Sequence, residues 1–250
     1  MNNQSEYKKN NLYIVLCCIF LANALIAEII GVKIFSLEST LGLNPAQISI
    51  FGFDKLDFNL TAGVVLWPVV FITSDIINEY FGIKGVKKIS YITSAIIVYM
   101  FFVILLVTKL NPATFWIEIN KIDGSYNIND SYNKIFKQGL GIMVGSILAF
   151  LVGQIVDSYT FQWLKKITGS KIIWLRATGS TLVSQLIDSF LVLWIAFFVF
   201  GDWSFDQVLA VGAINYIYKF LVAIALTPVL YLSHYIIGKY IKKSSLDINH

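Results

Sequence analysis

The stretch Asn11–Phe35 reads NLYIVLCCIFLANALIAEIIGVKIF and carries no charged residue between Leu12 and Ala27. A bilayer core about 30 Å thick is crossed by about 20 apolar residues of helix, so this run is long enough to span it. Lys8 and Lys9 before it, and Ala22-Asn23-Ala24 within it, also resemble a secretory leader with its cleavage site. Apolar character continues to Ile34, however, and five further runs follow. An uncleaved first membrane helix is therefore expected. Cys17 and Cys18 are adjacent inside it, where neither a disulfide framework nor a metal site is expected.

The rest of the chain has the same character. Of 250 residues 57% are hydrophobic, 15% aromatic and 14% charged, and the mean hydropathy is +0.71. A soluble domain carries about 25% charged residues, so disorder, a disulfide scaffold and a nucleic-acid binder are excluded. The formal charge of +4 reflects few charges rather than a basic surface. Six runs qualify as spans: 11–35, 62–82, 89–109, 139–164, 173–200 and 207–238. The expected fold is an all-α integral membrane protein, a single six-helix transmembrane domain over residues 1–250.

Loop charges orient the bundle. Lys8, Lys9, Lys84, Lys87, Lys88, Lys165, Lys166, Lys171, Lys239, Lys242, Lys243 and Arg176 fall on one side, with only Glu6 and Asp247 against them. The other side holds Glu38, Asp54, Asp57, Glu118, Asp123, Asp130, Asp202 and Asp206 among six lysines. Cytoplasmic loops collect Lys and Arg, which places both termini in the cytoplasm. Loops 36–61 and 110–138 are then external, and their apolar clusters Ile48–Phe53 and Thr114–Ile119 are expected to anchor at the headgroups.

Five acids and one lysine remain inside the spans: Glu28, Asp75, Glu79, Asp157, Asp188 and Lys219. Such groups cost a few kcal/mol at the bilayer centre and usually face a cavity. At 1.5 Å per residue, Asp75 lies about 13 Å from Lys84, Asp157 about 12 Å from Lys165 and Asp188 about 18 Å from Arg176. These three belong near the midplane, while Glu28 and Glu79 lie nearer the interfaces, where snorkelling is cheap. The polar residues also align. Asp75, Asn78 and Glu79 share one helix face, as do Thr178, Thr181, Ser184, Gln185 and Asp188. Ser146, Ala149, Gly153 and Asp157 form a third stripe, and Gly212, Asn215 and Lys219 a fourth. The small residues among them also suit helix–helix packing.

Gln154-Ile-Val-Asp157-Ser158-Tyr159 is echoed by Gln185-Leu-Ile-Asp188-Ser189-Phe190 on the next, oppositely directed helix. Paired polar elements of this kind often flank a midplane site in transporters. A carboxylate accepts two parallel N–H bonds, and an amide offers a donor and an acceptor. That set matches the edge of a guanine-like ring, with Tyr159, Phe161, Phe190, Trp194 and Tyr216 available to sandwich a flat heterocycle. A cationic substrate or a proton relay would suit the same acids. The residues alone therefore define a carrier of a polar solute or an ion. An aspartyl-protease dyad is disfavoured, because Val156 and Ile187 precede the two aspartates where the protease motifs would place a Gly. No P-loop, zinc pattern or Ser-His-Asp set is present, and His234 and His250 are the only histidines. No catalytic residue, metal or cofactor is expected.

Phe71-Ile-Thr-Ser-Asp75-Ile-Ile-Asn78-Glu79-Tyr-Phe-Gly82 resembles the helix-two signature of the YhhQ-type queuosine-precursor transporters, also called the vitamin uptake transporter family. Trp174-Leu-Arg176-Ala-Thr-Gly-Ser180-Thr-Leu-Val-Ser184-Gln185-Leu-Ile-Asp188-Ser189 resembles the second signature, and Gln154-x-x-Asp157 the helix-four element. The resemblance implies uptake of 7-cyano-7-deazaguanine, its aminomethyl relative or queuine through a bacterial inner membrane, for queuosine modification of tRNA. It implies that Asp157 and Asp188, with Gln154 and Gln185, read the base edge, and that Asp75, Asn78 and Glu79 line the cytoplasmic half of the path or carry a proton. Arg176 is expected to pair with Glu79, and Lys219 to neutralise an acid; Asn215 shares the Lys219 stripe. The bilayer and a 7-deazapurine are the expected partners, and a homo-oligomer is compatible with this reading. The rival reading is the substrate-binding subunit of an energy-coupling-factor vitamin importer, with Ala22, Ala24 and Ala27 of helix one docking a partner helix.

Overall fold

The computed structural model describes residues 3–119, 127–137, 140–169 and 172–246. The loop charges Asp123, Lys171 and Asp247, His250, and residue 139 at the expected start of the fourth span lie outside these, as do the side chains of Lys242 and Lys243. Among the described residues, five helices are long and apolar enough to cross a membrane: Glu6–Ile30, Trp67–Val107, Val144–Thr168, Trp174–Val199 and Phe205–Ala225. The chain is a helical membrane protein; the spans follow the apolar runs, except that 62–82 and 89–109 fall within the single helix Trp67–Val107 and the last span ends at Ala225 rather than 238.

Helix α1 covers Asn3–Ile30. After it come strand β1 (Ile34–Ser36), helix α2 (Leu37–Leu41) and strands β2 (Ile48–Ile50), β3 (Phe53–Leu56) and β4 (Asn59–Thr61). β1 pairs antiparallel with β4, and β2 with β3. The apolar cluster Ile48–Phe53 thus contributes strand β2 and the first residue of β3. The loop is fastened by Glu38, which is 6% exposed and accepts the Phe58 N–H at 2.8 Å. Burial opposes ionisation of Glu38, but backbone N–H bonds hold its carboxyl below the usual glutamate range.

Helix α3 is assigned to Trp67–Val107, but its backbone is non-helical at Gly82 (φ 71°, ψ −177°). A Cβ placed on Gly85 would lie 3.3 Å from Ile77 Cγ2, whereas eight residues of straight helix separate groups by about 12 Å. The chain therefore turns back at Gly82, and the apolar runs 62–82 and 89–109 are two limbs of one hairpin. Tyr13 donates to the Gly85 carbonyl at 2.9 Å, and a Cβ on Gly63 would meet the Ala27 carbonyl oxygen at 2.7 Å. α1 is thus antiparallel to the first limb. Leu16, Phe20 and Ala24 pack there against Val70, Ile76, Ile77 and Val86.

Helices α4 (Thr114–Ile119) and α5 (Ile128–Lys137) lie on the second long loop. α6 covers Leu140–Thr168 and α7 Ile173–Leu193, and α7 continues as a π-helix over Trp194–Val199. α8 (Phe205–Ala225) and α9 (Thr227–Leu246) divide the sixth run at Leu226, just before Pro228, whose ring cannot continue a helix interior. α6 runs parallel to the first limb of α3, joined by Ser74 to Gln154 at 2.8 Å and Asn78 to the Ser158 carbonyl at 3.1 Å. α7 runs back along α6, and α8 back along α7, where a Cβ on Gly212 would strike the Phe190 ring at 2.6 Å.

The polarity of a soluble protein is inverted. Tyr99, Phe102, Leu221 and Ile224 are each at least half exposed, while Ser74, Asp75, Asn78, Gln154, Asp157, Ser158 and Arg176 are at most 4% exposed. Apolar groups facing outward on every long helix suit a hydrocarbon solvent.

Candidate functional site

Some of the buried polar groups, Asp75 and Gln154 among them, border two cavities that share lining residues. The larger is a cavity of about 480 Å³, bounded by Glu28, Trp67, Phe71, Phe150, Gln154, Gln185, Asp188, Asn215 and Lys219. That size falls in the roughly 300–1,000 Å³ range of small-molecule sites. Its mouth is formed by the β-loop through Ile34, Lys55, Asp57 and Thr61, and by Trp203. The smaller, about 60 Å³, is bordered by Asp75, Thr178, Thr181 and Tyr218. Gln185 and Lys219, with Val64, Trp67 and Phe71, border both and form the wall between them.

Helix periodicity explains this convergence. Trp67, Phe71 and Asp75 succeed one another at i, i+4, i+8, as Phe150 and Gln154 do at i, i+4, so each pair projects from one face. α6 and α7 pack closely at Gly153, where a Cβ would lie 3.9 Å from Asp188 Cβ and from the Ser184 carbonyl oxygen, an ordinary contact distance. The two halves of the Gln-x-x-Asp repeat thereby come side by side.

They are not equivalent. Asp188 faces the large cavity and forms an ion pair with Lys219 across α7 and α8. Asp157 is 1% exposed and borders neither chamber. Ser184 donates to its carboxylate at 3.3 Å, and the hydroxyls of Ser180 and Thr181 join that hydrogen bonding. Asp157 therefore sits behind the wall. Gln154 accepts from Ser74 through Oε1, which leaves its buried Nε2 without a protein partner. Buried donors in that state are uncommon and call for a ligand or water.

Two expected site residues hold the helices together outside the chambers. Asn78 donates to the Ser158 carbonyl, and its side-chain oxygen accepts from Gln162 at 2.8 Å. Glu79 accepts from Arg176 at 2.9 Å and pairs with Lys165 at 3.1 Å, as anticipated for the arginine. Arg176 also donates to the Gly169 carbonyl at 2.6 Å and lies 5.9 Å from the centre of the Phe161 ring.

The aromatic sandwich expected from the sequence is placed differently. Tyr159 and Trp194 are half exposed on the outer surface, Phe161 lies beside Arg176, and none of the five named rings borders a chamber. Trp67 and Phe71 occupy the shared wall instead. Their spacing ahead of Asp75 was the available signal. Glu28, near the end of α1, faces the large cavity, where Ser146 of α6 donates to it at 2.5 Å.

Fold and site define a multi-pass membrane protein with a cavity of small-molecule size between its helices, largely apolar and carrying a few polar and charged groups. The chain belongs to the family described as "Putative vitamin uptake transporter", which it matches over residues 61–233. It is 30% identical over 177 residues, 70% of its length and 72% of the relative's, to a "Probable queuosine precursor transporter" of Bacillus subtilis. A second protein of that description, from Haemophilus influenzae, is 24% identical over 69% of this chain and 67% of its own. The "Queuosine precursor transporter" of Escherichia coli is 23% identical over 68% of this chain and 70% of its own. No solved structure matches the chain.

Proposed function

We propose that this protein imports a 7-deazaguanine precursor of queuosine across a bacterial inner membrane. The observation that carries the proposal is the meeting of Gln154, Gln185 and Asp188 on one cavity wall, in a chain whose relatives are named queuosine precursor transporters. The free Nε2 of Gln154 suits the ring carbonyl, and a carboxylate suits the ring N–H and amino group beside it. Trp67 and Phe71 supply the flat apolar surface. Asp157 positions α7 through its serines, and Asp75 with the smaller chamber continues the path. The chain crosses the bilayer six times, the α3 hairpin counting twice, with both termini and the Gly82 turn in the cytoplasm and the β-loop at the external mouth. Lysine placement supports this orientation.

The protein acts as the carrier itself rather than as a subunit of an ATPase-driven importer. Ala24 and Ala27, two of the three small residues suited to docking a partner helix, are already buried within the bundle, at 0% and 1% exposure. Cells unable to make the precursor, expressing this chain, should regain queuosine in tRNA when fed a 7-deazaguanine. Reconstituted vesicles without any ATPase should take up the same base. Absence of queuosine with every candidate base would overturn the import reading, and uptake that requires an added ATPase would overturn the solitary one.

A further inference from the structure

The charges around the large cavity do not cancel. Glu28, Asp57 and Asp188 face it on the acidic side, and Lys55 and Lys219 on the basic side, an excess of one carboxylate. Lys219 is committed to Asp188, whereas Lys55 and Asp57 border the cavity from the β-loop and form no ion pair among the described residues. Of the two cavity acids carried on the long helices, Glu28 and Asp188, Glu28 has no ion pair among the described residues. Ser146 donates to its Oε1, and the second oxygen has no partner among the described residues. The α1 helix holds it there, since the buried faces of Ala24 and Ala27 fix the helix's rotation. A carboxylate inside a bundle normally finds a cation. Here the missing cation is to be supplied by the ligand.

We propose that Glu28 is a specificity-determining residue that selects, among 7-deazaguanines, one whose ring substituent bears an ammonium group. This rests on the import reading above and adds the charge of the cargo to it. The guanine edge meets the Gln154, Gln185 and Asp188 wall, and the substituent points toward α1, where Glu28 accepts a charge-assisted hydrogen bond. A neutral nitrile at the same place leaves the carboxylate unpaired.

The test is equilibrium binding to the purified full chain in detergent, which removes any effect of membrane potential on a charged ligand. The probes are 7-aminomethyl-7-deazaguanine, 7-cyano-7-deazaguanine and the uncharged 7-hydroxymethyl analogue. The wild type should bind the aminomethyl base at least about tenfold more tightly than either neutral one, a margin of about 1.4 kcal/mol. Glu28→Gln should abolish the margin by weakening binding of the aminomethyl base, and Glu28→Asp should retain part of it. Equal wild-type affinity for charged and neutral bases overturns the proposal and leaves the import reading intact. So does a Glu28→Gln loss that is the same for all three bases, which would make Glu28 a reader of the ring edge. Failure of the wild type to bind any of them would instead sink the import reading. The wild-type comparison decides the matter even where a Glu28 variant does not fold.

Discussion

Asp188 and Lys219 neutralise each other in the wall between the two chambers, with side chains only 24% and 20% exposed. Removing one partner leaves the other charged in a poorly hydrated place. Asp188→Asn and Lys219→Met should therefore each lower the thermal stability of the detergent-solubilised protein. The double variant should recover about 1–3 kcal/mol of the summed loss, as contacting residues do in mutant cycles. Strict additivity would show that the pair is not coupled. Charged residues were the most legible part of the site, because a charge in an apolar run stands out and its partners are few. The pairing of Arg176 with Glu79 and a neutralising role for Lys219 followed from that. The ring-bearing wall did not, since aromatic residues occur on every face of these helices and only packing distinguishes Trp67 from Trp194. Nor did the separate fates of Asp157 and Asp188, which have the same local motif and differ only in which way their helices are turned.

The α3 hairpin depends on one residue. At φ 71° and ψ −177° Gly82 occupies a region essentially reserved for glycine. No atom lies within 4 Å of where its Cβ would be, so substitution acts on the backbone alone. Gly82→Ala should destabilise the protein by about 1–3 kcal/mol and be read directly as a fall in melting temperature; an unchanged value would mean that the turn tolerates an L side chain. The long elements were legible because twenty apolar residues in a row permit little else. The β-loop was not, since strands of three or four residues with intermediate exposure carry no period. That loop titrates through Glu38. Its folded-state pKa is depressed, so its contribution is complete above the unfolded value of about 4.3 and is lost as pH falls through the lower folded value. Protease nicking of residues 36–61 should be slow at neutral pH and accelerate only below the usual glutamate range. Glu38→Gln should nick rapidly already at neutral pH, and a variant as resistant as the wild type would remove the carboxylate from its fastening role.

At the scale of the whole molecule, the long helices alternate in direction and separate two chemically different ends. One end carries the Gly82 turn, the Arg176–Glu79–Lys165 cluster and most of the lysines. The other carries the β-loop and the mouth of the large cavity. If lysines mark the cytoplasm, the cavity opens outward and the Asp188–Lys219 pair closes the route inward. Alternating access would then require a path past the Asp188–Lys219 pair to open while the mouth closes. Orientation can be measured without any ligand. In a chain with Cys17 and Cys18 replaced by alanine, Asp54→Cys on the β-loop and Lys84→Cys beside the turn each give one exposed thiol. A membrane-impermeant maleimide added to intact cells should label the cysteine at 54 at once, and that at 84 only after the membrane is permeabilised. The reverse pattern would place the cavity mouth in the cytoplasm and make the outward-open state an inward-open one. Labelling of both in intact cells would mean that the two limbs of α3 do not each cross the bilayer, and the six-span topology would fall with them.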